Sequence, residues 1–453
     1  MYAIGLDIGT TSVCGILHNA KTGEIVCSRT LANDTFLPTD NSFEKIQDPA
    51  RLLTLVDTVL QELLSKQLSI TSIGVTGQMH GIVYIDKDGK PVSPLAIWQD
   101  SRGDQPYQNG MTHAEYMSEK TGYALATGYG AVTYFYDTVN GRVPKTAVGF
   151  CTIHDLAVLH LTGKTNPVLH SSDAASLGLF DTATNTYDKV AVEALGLDYE
   201  MFPQATPDFE VMGHYNGIPV CVAIGDNQAS FLGSVADPEH SLLVNVGTGS
   251  QISCFTDKRS NNKELDCRPL MRGSYLLAGS SLCGGRSYAM LEKLFREIAT
   301  AVSGTEIKSA YPAMDKLMEG FVSSADPLKV STLFSGTRTN PKERGGIANI
   351  SVDNLTMAAL CDGFMQGIAD ELYELYEAMR PELSTERNRM VGSGNGLRNN
   401  EALRQRFEKT FGFKMVIPAH REEAAFGASL SALVAAGVYD SMQAASKLIQ
   451  YEE

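Results

Sequence analysis

Two carboxylates in this chain stand at the ends of apolar runs, one of them directly after a glycine, and that placement suits chemistry. Asp7 follows the apolar run at residues 3–6 and leads into the small-residue turn Gly9-Thr10-Thr11-Ser12. A turn glycine lets the backbone take positive φ and come close to a ligand. Backbone N–H groups and the hydroxyls of Thr10, Thr11 and Ser12 then converge on one spot, a concavity that suits a phosphate. Asp7 can hold a hydrated Mg²⁺, a hard cation that keeps several waters and takes carboxylate oxygens. A surface hairpin with a turn aspartate is the plain alternative. Asp226 lies in Gly225-Asp226-Asn227-Gln228, directly after the apolar run IPVCVAI at 218–224. That run is expected as a strand buried on both faces. Asp226 also suits the cap of a helix beginning near Ala229, and the two roles are compatible.

Other polar groups are bracketed in ways that suit binding. Gly77-Gln78-Met79-His80-Gly81 closes a short strand expected at 72–76. The ends of strands in α/β sheets are where ligands usually bind. An ordinary hydrogen-bonded histidine is the alternative for His80. Residues 97–102 hold the single tryptophan, Trp98, with Asp100 and Arg102. An aromatic face beside a carboxylate and a guanidinium can hold a sugar, ring against ring and charge on hydroxyl. A partly buried tryptophan next to a surface ion pair is the alternative. Residues 390–397, MVGSGNGL, end a strand in a glycine-rich turn where backbone can lie flat against a planar base such as adenine. The spacing is not the G-x-G-x-x-G of a dinucleotide fold, and no Walker loop occurs.

The elements that position these groups repeat. Residues 241–253, SLLVNVGTGSQIS, restate the first hairpin, with Gly247, Thr248 and Gly249 in the turn. Two strand–Gly-Thr–strand units imply an internal duplication with one phosphate loop in each half. At 453 residues the chain is expected to form two domains. Asp237-Pro238 is the expected boundary, giving domains 1–237 and 238–453. Helices are expected from Asp48-Pro49, at 152–161, from 287 to about 302, from Asp353 or Asn354 to Pro381, at 401–411 and at 422–436. The Gly- and Tyr-rich stretch at 121–137 lines a pocket or packs two elements closely, and residues 171–176 form a small polar turn.

A net charge of −15 argues against nucleic acid and against anionic membrane surfaces as partners. The eight cysteines form no C-x-x-C pair and are expected as reduced core residues. No basic and apolar leader and no membrane-length apolar stretch are present, so a cytoplasmic location is expected.

Taken together and in order, these segments resemble the FGGY family of carbohydrate kinases. DIGTTS and NVGTGSQ match its two phosphate loops, GQMHG and WQDSR its sugar-site segments, GDNQA its catalytic segment and VGSGNGLRNN its adenosine segment. FSGTRTNP resembles the family's SGERTP stretch. Within the family the likeness is to sedoheptulokinase and xylulokinase: ATGYG, TIHD and GDNQAS lean to the former, while Asn227 after Asp226 is shared with the latter. The resemblance implies an α/β fold of two ribonuclease H-like domains, of the actin and hexokinase superfamily, facing across an ATP and sugar cleft. It implies Asp226 as the base that takes the sugar hydroxyl proton, and Asp7 on Mg²⁺. It places Thr10, Thr11, Ser12, Gly247, Thr248 and Gly249 on phosphates, and Gly392, Gly394, Asn395 and Asn399 on adenosine. Gln78, Met79, His80, Trp98, Asp100, Arg102, Asp226 and Asn227 surround the sugar. The expected ligands are ATP and a ketose, best taken as sedoheptulose, with D-xylulose as the alternative; a homodimer is an assembly the sequence leaves open. An actin-like ATPase would share the two hairpins but not Asp226 with GQMHG. A sugar-sensing relative would normally add a basic helix-turn-helix.

Overall fold

A computed structural model describes residues 1–262, 265–337, 340 and 342–452. Arg338, Thr339 and Pro341 of the FSGTRTNP stretch lie outside the described residues. The chain forms two compact units. The first holds Met1–Ala236, Arg268–Ser274 and His420–Gln450; the second holds Asp237–Cys267, Tyr275–Ala419 and Tyr451–Glu453. The expected division at 237/238 therefore differs from this one in two segments. The larger is 420–450, whose helix Glu423–Ala435 packs on the strands Tyr2–Ile8 and Ile70–Gly77.

The first unit is built on a seven-stranded sheet. Its order is Val211–Tyr215, Ile218–Cys221, Ile70–Gly77, Tyr2–Ile8, Ser12–Asn19, Ile25–Ala32, with Ile224–Gly225 also paired to Ile70–Gly77. Tyr2–Ile8 runs antiparallel to Ser12–Asn19 and parallel to Ile70–Gly77. Both faces are covered. Pro49–Leu64, capped by Asp48 with proline in its first turn, buries Leu52, Val56, Val59, Leu60 and Leu63. On the other face Glu423–Ala435 sits so close that a Cβ on Gly5 would stand 1.8 Å from Ala425 O, and one on Gly74 1.9 Å from Ala428 O. Only glycine permits that approach.

The second unit is built on a sheet in the order Ser274–Ser281, Ser250–Thr256, Ser241–Val246, Arg389–Ser393, Lys414–Val416. Its helices are led by Gly284–Ser303, Met357–Met379 and Glu401–Phe411. The motif of the first unit recurs: an antiparallel hairpin, a third antiparallel strand beside it, and a later strand parallel to the first.

Several local expectations change. The run 218–224 is split into Ile218–Cys221 and Ile224–Gly225. The helix expected from Asp353 or Asn354 starts at Met357, where Thr356 caps Ala359 N. Residues 171–176 are not a turn but lie in the helix Ser171–Leu177, and 121–137 contributes to the helix Gly130–Val139. All eight cysteines are free thiols; Cys27 and Cys267 are half-buried and the others buried. Among the described residues no helix is long and apolar enough to cross a membrane.

Candidate active site

In the first unit, three strand ends bring the carboxylates into one neighbourhood. Asp7 pairs in register with Thr76, Ile8 with Gly77, and Gly225 with Gly77. Asp226 is then the first residue of the helix Asp226–Ser234, where the helix dipole favours a carboxylate. Gly225 lies against Met79: a Cβ there would stand 2.6 Å from Met79 Cε. The amide of Gly225 donates to Ser172 Oγ at 3.0 Å, which fixes the entry to Asp226. Asn227 follows, and its Oδ1 is buried without a hydrogen-bond partner among the described residues.

Both carboxylates still reach solvent in part, yet protein mass surrounds them closely. Burial and the neighbouring Asp226 and Glu422 raise Asp7 to about 7, against an opposing pull from His154. Burial and Asp173 raise Asp226 to about 6, while His154 and Arg268 pull it down. A pair of carboxylates held this reluctantly ionised fits a divalent cation, which would relieve their repulsion.

Behind them lies a group the sequence reading passed over. His154 and Asp173 are fully buried, with His154 Nε2 2.9 Å from Asp173 Oδ1, an ion contact without aligned hydrogen-bond geometry. Asp155 sits beside them, held by Thr152 Oγ1, which donates to its Oδ2 at 2.5 Å. Burial disfavours the imidazolium, but Asp173, Asp155 and Asp226 outweigh it and raise His154 to about 9. The one signal in the sequence was Thr152-Ile153-His154-Asp155, two titratable residues at a capped helix start.

The other expected sugar residues divide. His80 has φ +72, rare for a side-chain-bearing residue, and its ring stacks on Tyr129 at 4.7 Å. His80 Nδ1 lies 2.7 Å from the carbonyl of Ser176, to which it donates. Trp98 is 47% exposed and its Nε1 donates to Thr10 Oγ1 at 3.0 Å. Thr10 Oγ1 in turn donates to Gln78 Oε1 at 3.1 Å, and Gln78 Nε2 donates to Gln47 Oε1 at 2.8 Å. The hydroxyl of Thr10 and the amide of Gln78 are thus tied to each other, while Thr11 is exposed and Ser12 half-buried.

Asp100 and Arg102 correct the expectation of a sugar-holding pair, and also the alternative of a surface pair. They are buried, and Arg102 spans Asp100 by Nε (2.8 Å) and Nη2 (3.0 Å), with Nη1 on Asp137 at 2.7 Å. Asp100 Oδ2 also accepts from the Lys45 amide at 3.0 Å. Such a fork-to-fork pair organises the loop and leaves the carboxylate committed.

The second unit holds its own pocket, a cavity of about 840 Å³. Gly247, Thr248, Gly394, Asn395 and Asn399 line it, as does Arg286 from the start of the helix Gly284–Ser303. Tyr288, Tyr311, Asp315 and Asn400 complete its polar edge and were not foreseen. Gly394, at φ +82, turns the chain into the short helix Asn395–Arg398. Gly249 closes the turn by accepting from the Gly247 amide at 2.9 Å and is not in the lining. Gly392, in the strand Arg389–Ser393, is not in the lining; a Cβ there would stand 2.5 Å from Met415 Sδ.

This geometry agrees with the comparisons to known proteins. The description "FGGY family of carbohydrate kinases, N-terminal domain" matches residues 2–233. The chain belongs to the FGGY family of carbohydrate kinases, and its activity is that of an ATP-dependent sugar kinase. It is 25% identical to sedoheptulokinase of Mus musculus, over 94% of this chain and 96% of that one. It is also 25% identical to glycerol kinase of Pseudomonas syringae pv. syringae, over 97% and 89%. The crystal structure of ligand-bound xylulose kinase from Lactobacillus acidophilus superposes with a TM-score of 0.82 at 19% identity, covering 100% of this chain and 93% of that one. The fold is accordingly the two-domain α/β fold of these kinases.

Proposed function

We propose that this kinase phosphorylates the terminal hydroxyl of a ketose, sedoheptulose to sedoheptulose 7-phosphate, with Asp226 as general base. The observation that carries the base assignment is the position of Asp226: first residue of a helix, directly after the strand end Ile224–Gly225 and half-buried. Asp226 accepts the proton of the attacking hydroxyl, and positioning dominates because phosphoryl transfer passes through a loose transition state. Bound Mg²⁺ supplies charge neutralisation on the phosphates, and Asp7 is the residue that would hold it through water. Thr11, Ser12 and Thr248 meet phosphates, as do the backbone N–H groups of both Gly-Thr turns, and the 840 Å³ pocket takes the adenosine. His80, Met79, Asn227 and the open face of Trp98 hold the sugar. A cytoplasmic enzyme acting in pentose phosphate metabolism fits this substrate.

The ketose reading is supported by GQMHG, by ATGYG and TIHD, and by the likeness to sedoheptulokinase along nearly the whole chain. Comparing kcat/KM for sedoheptulose, D-xylulose, D-ribulose, D-fructose, gluconate and glycerol tests it. Sedoheptulose is expected to lead. A clear lead for D-xylulose makes the enzyme a xylulokinase, and turnover of glycerol or gluconate alone removes the ketose reading. A site that bonds a hydroxyl rejects a sugar lacking it by about 10⁴-fold, so the panel discriminates strongly.

A further inference from the structure

Two helix starts in the first unit bury polar atoms that have no hydrogen bond among the described residues. His154 is the second residue of the helix Ile153–Thr162 and 0% exposed, and neither of its ring nitrogens has a hydrogen-bond partner there. Asp173, in the helix Ser171–Leu177, is also 0% exposed, and neither of its carboxylate oxygens has one. Asp155 leaves Oδ1 unmet, while Thr152 Oγ1 donates to its Oδ2 at 2.5 Å. The buried hydroxyl of Tyr187 is unmet as well, and burial with the charges of Asp155 and Asp173 pushes that phenol up. Unmet buried polar atoms are costly, and so many in one place call for an occupant. The donor atoms also converge. One ligand atom from each of His154, Asp155 and Asp173 lies within 4.8 Å of the other two. His154 Nε2 stands 2.9 Å from Asp173 Oδ1, too poorly aligned for a hydrogen bond. Two donors about 2.1 Å from a common ion stand about 3 Å apart when they meet it at a right angle, which is this spacing. Nδ1 faces the strand Ile70–Gly77, where a Cβ on Gly77 would stand 3.2 Å from it, so Nε2 is the nitrogen turned to the carboxylates.

We propose that His154 Nε2 and the carboxylates of Asp155 and Asp173 hold one divalent transition-metal ion, Zn²⁺ by preference, at a buried structural site separate from the Mg²⁺ assigned to Asp7. The donor set selects the class of ion. An imidazole nitrogen suits Zn²⁺ and its neighbours in the first row, whereas Mg²⁺ and Ca²⁺ take oxygen ligands. Two carboxylates buried side by side carry two negative charges, and one divalent ion offsets both. Thr152 orients Asp155 from outside, as outer hydrogen bonds do for metal ligands. Water or the Tyr187 hydroxyl supplies the remaining position. The ion ties the start of Ile153–Thr162 to the helix Ser171–Leu177. Ser172, next to Asp173, accepts the Gly225 amide at 3.0 Å, so the site braces the backbone that leads into Asp226.

The experiment uses the full chain without a histidine tag, stripped with EDTA, loaded with Zn²⁺ alone and dialysed against excess Mg²⁺. One equivalent of Zn²⁺ per chain is expected to remain by elemental analysis and to raise the melting temperature, as a ligand of the folded state does. Zn²⁺ that dialyses away, with no shift in melting, overturns the proposal. His154→Gln is expected to lose the ion, and Thr152→Val to weaken its binding by about 10- to 100-fold. A full equivalent retained by His154→Gln overturns the proposal. Asp7→Asn tests the separation from the Mg²⁺ position: it is expected to keep the Zn²⁺, and loss of the ion there places it at the strand-end carboxylates and overturns the proposal. For the case in which the His154 and Thr152 variants do not fold, zinc X-ray absorption of the loaded wild type decides. An imidazole nitrogen among oxygen ligands at about 2.0–2.2 Å is expected, and a shell without imidazole overturns the proposal.

Discussion

Asp7 and Asn245 occupy the same place in two copies of one motif. Each is the penultimate residue of the first hairpin strand, just before a Gly-Thr turn. Each also faces a hydroxyl residue on the parallel strand, Thr76 for Asp7 and Ser393 for Asn245. Their chemistry has parted. Asp7 is a carboxyl raised to about 7 by burial, Asp226 and Glu422. Asn245 is an exposed neutral amide that donates to Ser393 Oγ at 2.9 Å. The turns differ in the same sense. In the first, the Thr10 hydroxyl is tied between Gln78 and Trp98; in the second, Thr248 is exposed and its carbonyl accepts from the Arg286 amide at 2.9 Å. Duplication supplies the same strand–Gly-Thr–strand backbone in both halves. The first unit buries the titratable side chains of His154, Asp155 and Asp173, and the second buries Glu292, Asp362 and Arg387, so each half matches its own buried charge.

The comparison can be broken at its strongest point by Asp226→Asn. Turnover is expected to fall by about 10²–10⁴-fold while ATP still binds, as for loss of a general base. Retained turnover would show that Asp226 is structural. Next in size is Asp7→Asn, which makes the first copy resemble the second. Activity is expected to drop roughly tenfold to a hundredfold, with a higher Mg²⁺ requirement and little change in sugar KM. An unchanged Mg²⁺ curve removes Asp7 from the metal. The reverse exchange, Asn245→Asp, places a carboxylate beside the second turn. It is expected to raise the KM for ATP by about tenfold, a like-charge cost near 1.4 kcal/mol, and to leave the sugar KM alone. An unaffected KM for ATP would mean that this turn does not meet phosphate. The smallest effect separates the two threonines. Thr10→Val is expected to lower stability by about 1 kcal/mol in urea unfolding, since it breaks the Gln78–Thr10–Trp98 chain, whereas Thr248→Val leaves stability unchanged. Equal effects would erase the distinction between a tied and an open turn.

What the sequence determined by itself is local. The two Gly-Thr hairpins, the strand-end placement of Asp7 and Asp226, the caps at Asp48 and Thr152 and the apolar stripe at Leu52–Leu63 all follow from turn chemistry and periodicity within a few residues. The ordered motifs add the family, because their types and order are legible without coordinates. Tertiary structure decided what depends on partners distant in sequence. It buried Asp100 and Arg102 against Asp137, where a surface or sugar-holding pair was expected, since nothing local tells a charged pair whether a third element will cover it. It brought Tyr288 from one helix and Tyr311 and Asp315 from another to the pocket of Gly394 and Asn399. It returned residues 420–450 to the first unit, where the glycines at 5 and 74 wait for the backbone of Glu423–Ala435. Above all it paired His154 with Asp173. A histidine at a helix start reads as an ordinary cap-region residue, and only the packing of two helices buries it 2.9 Å from Asp173.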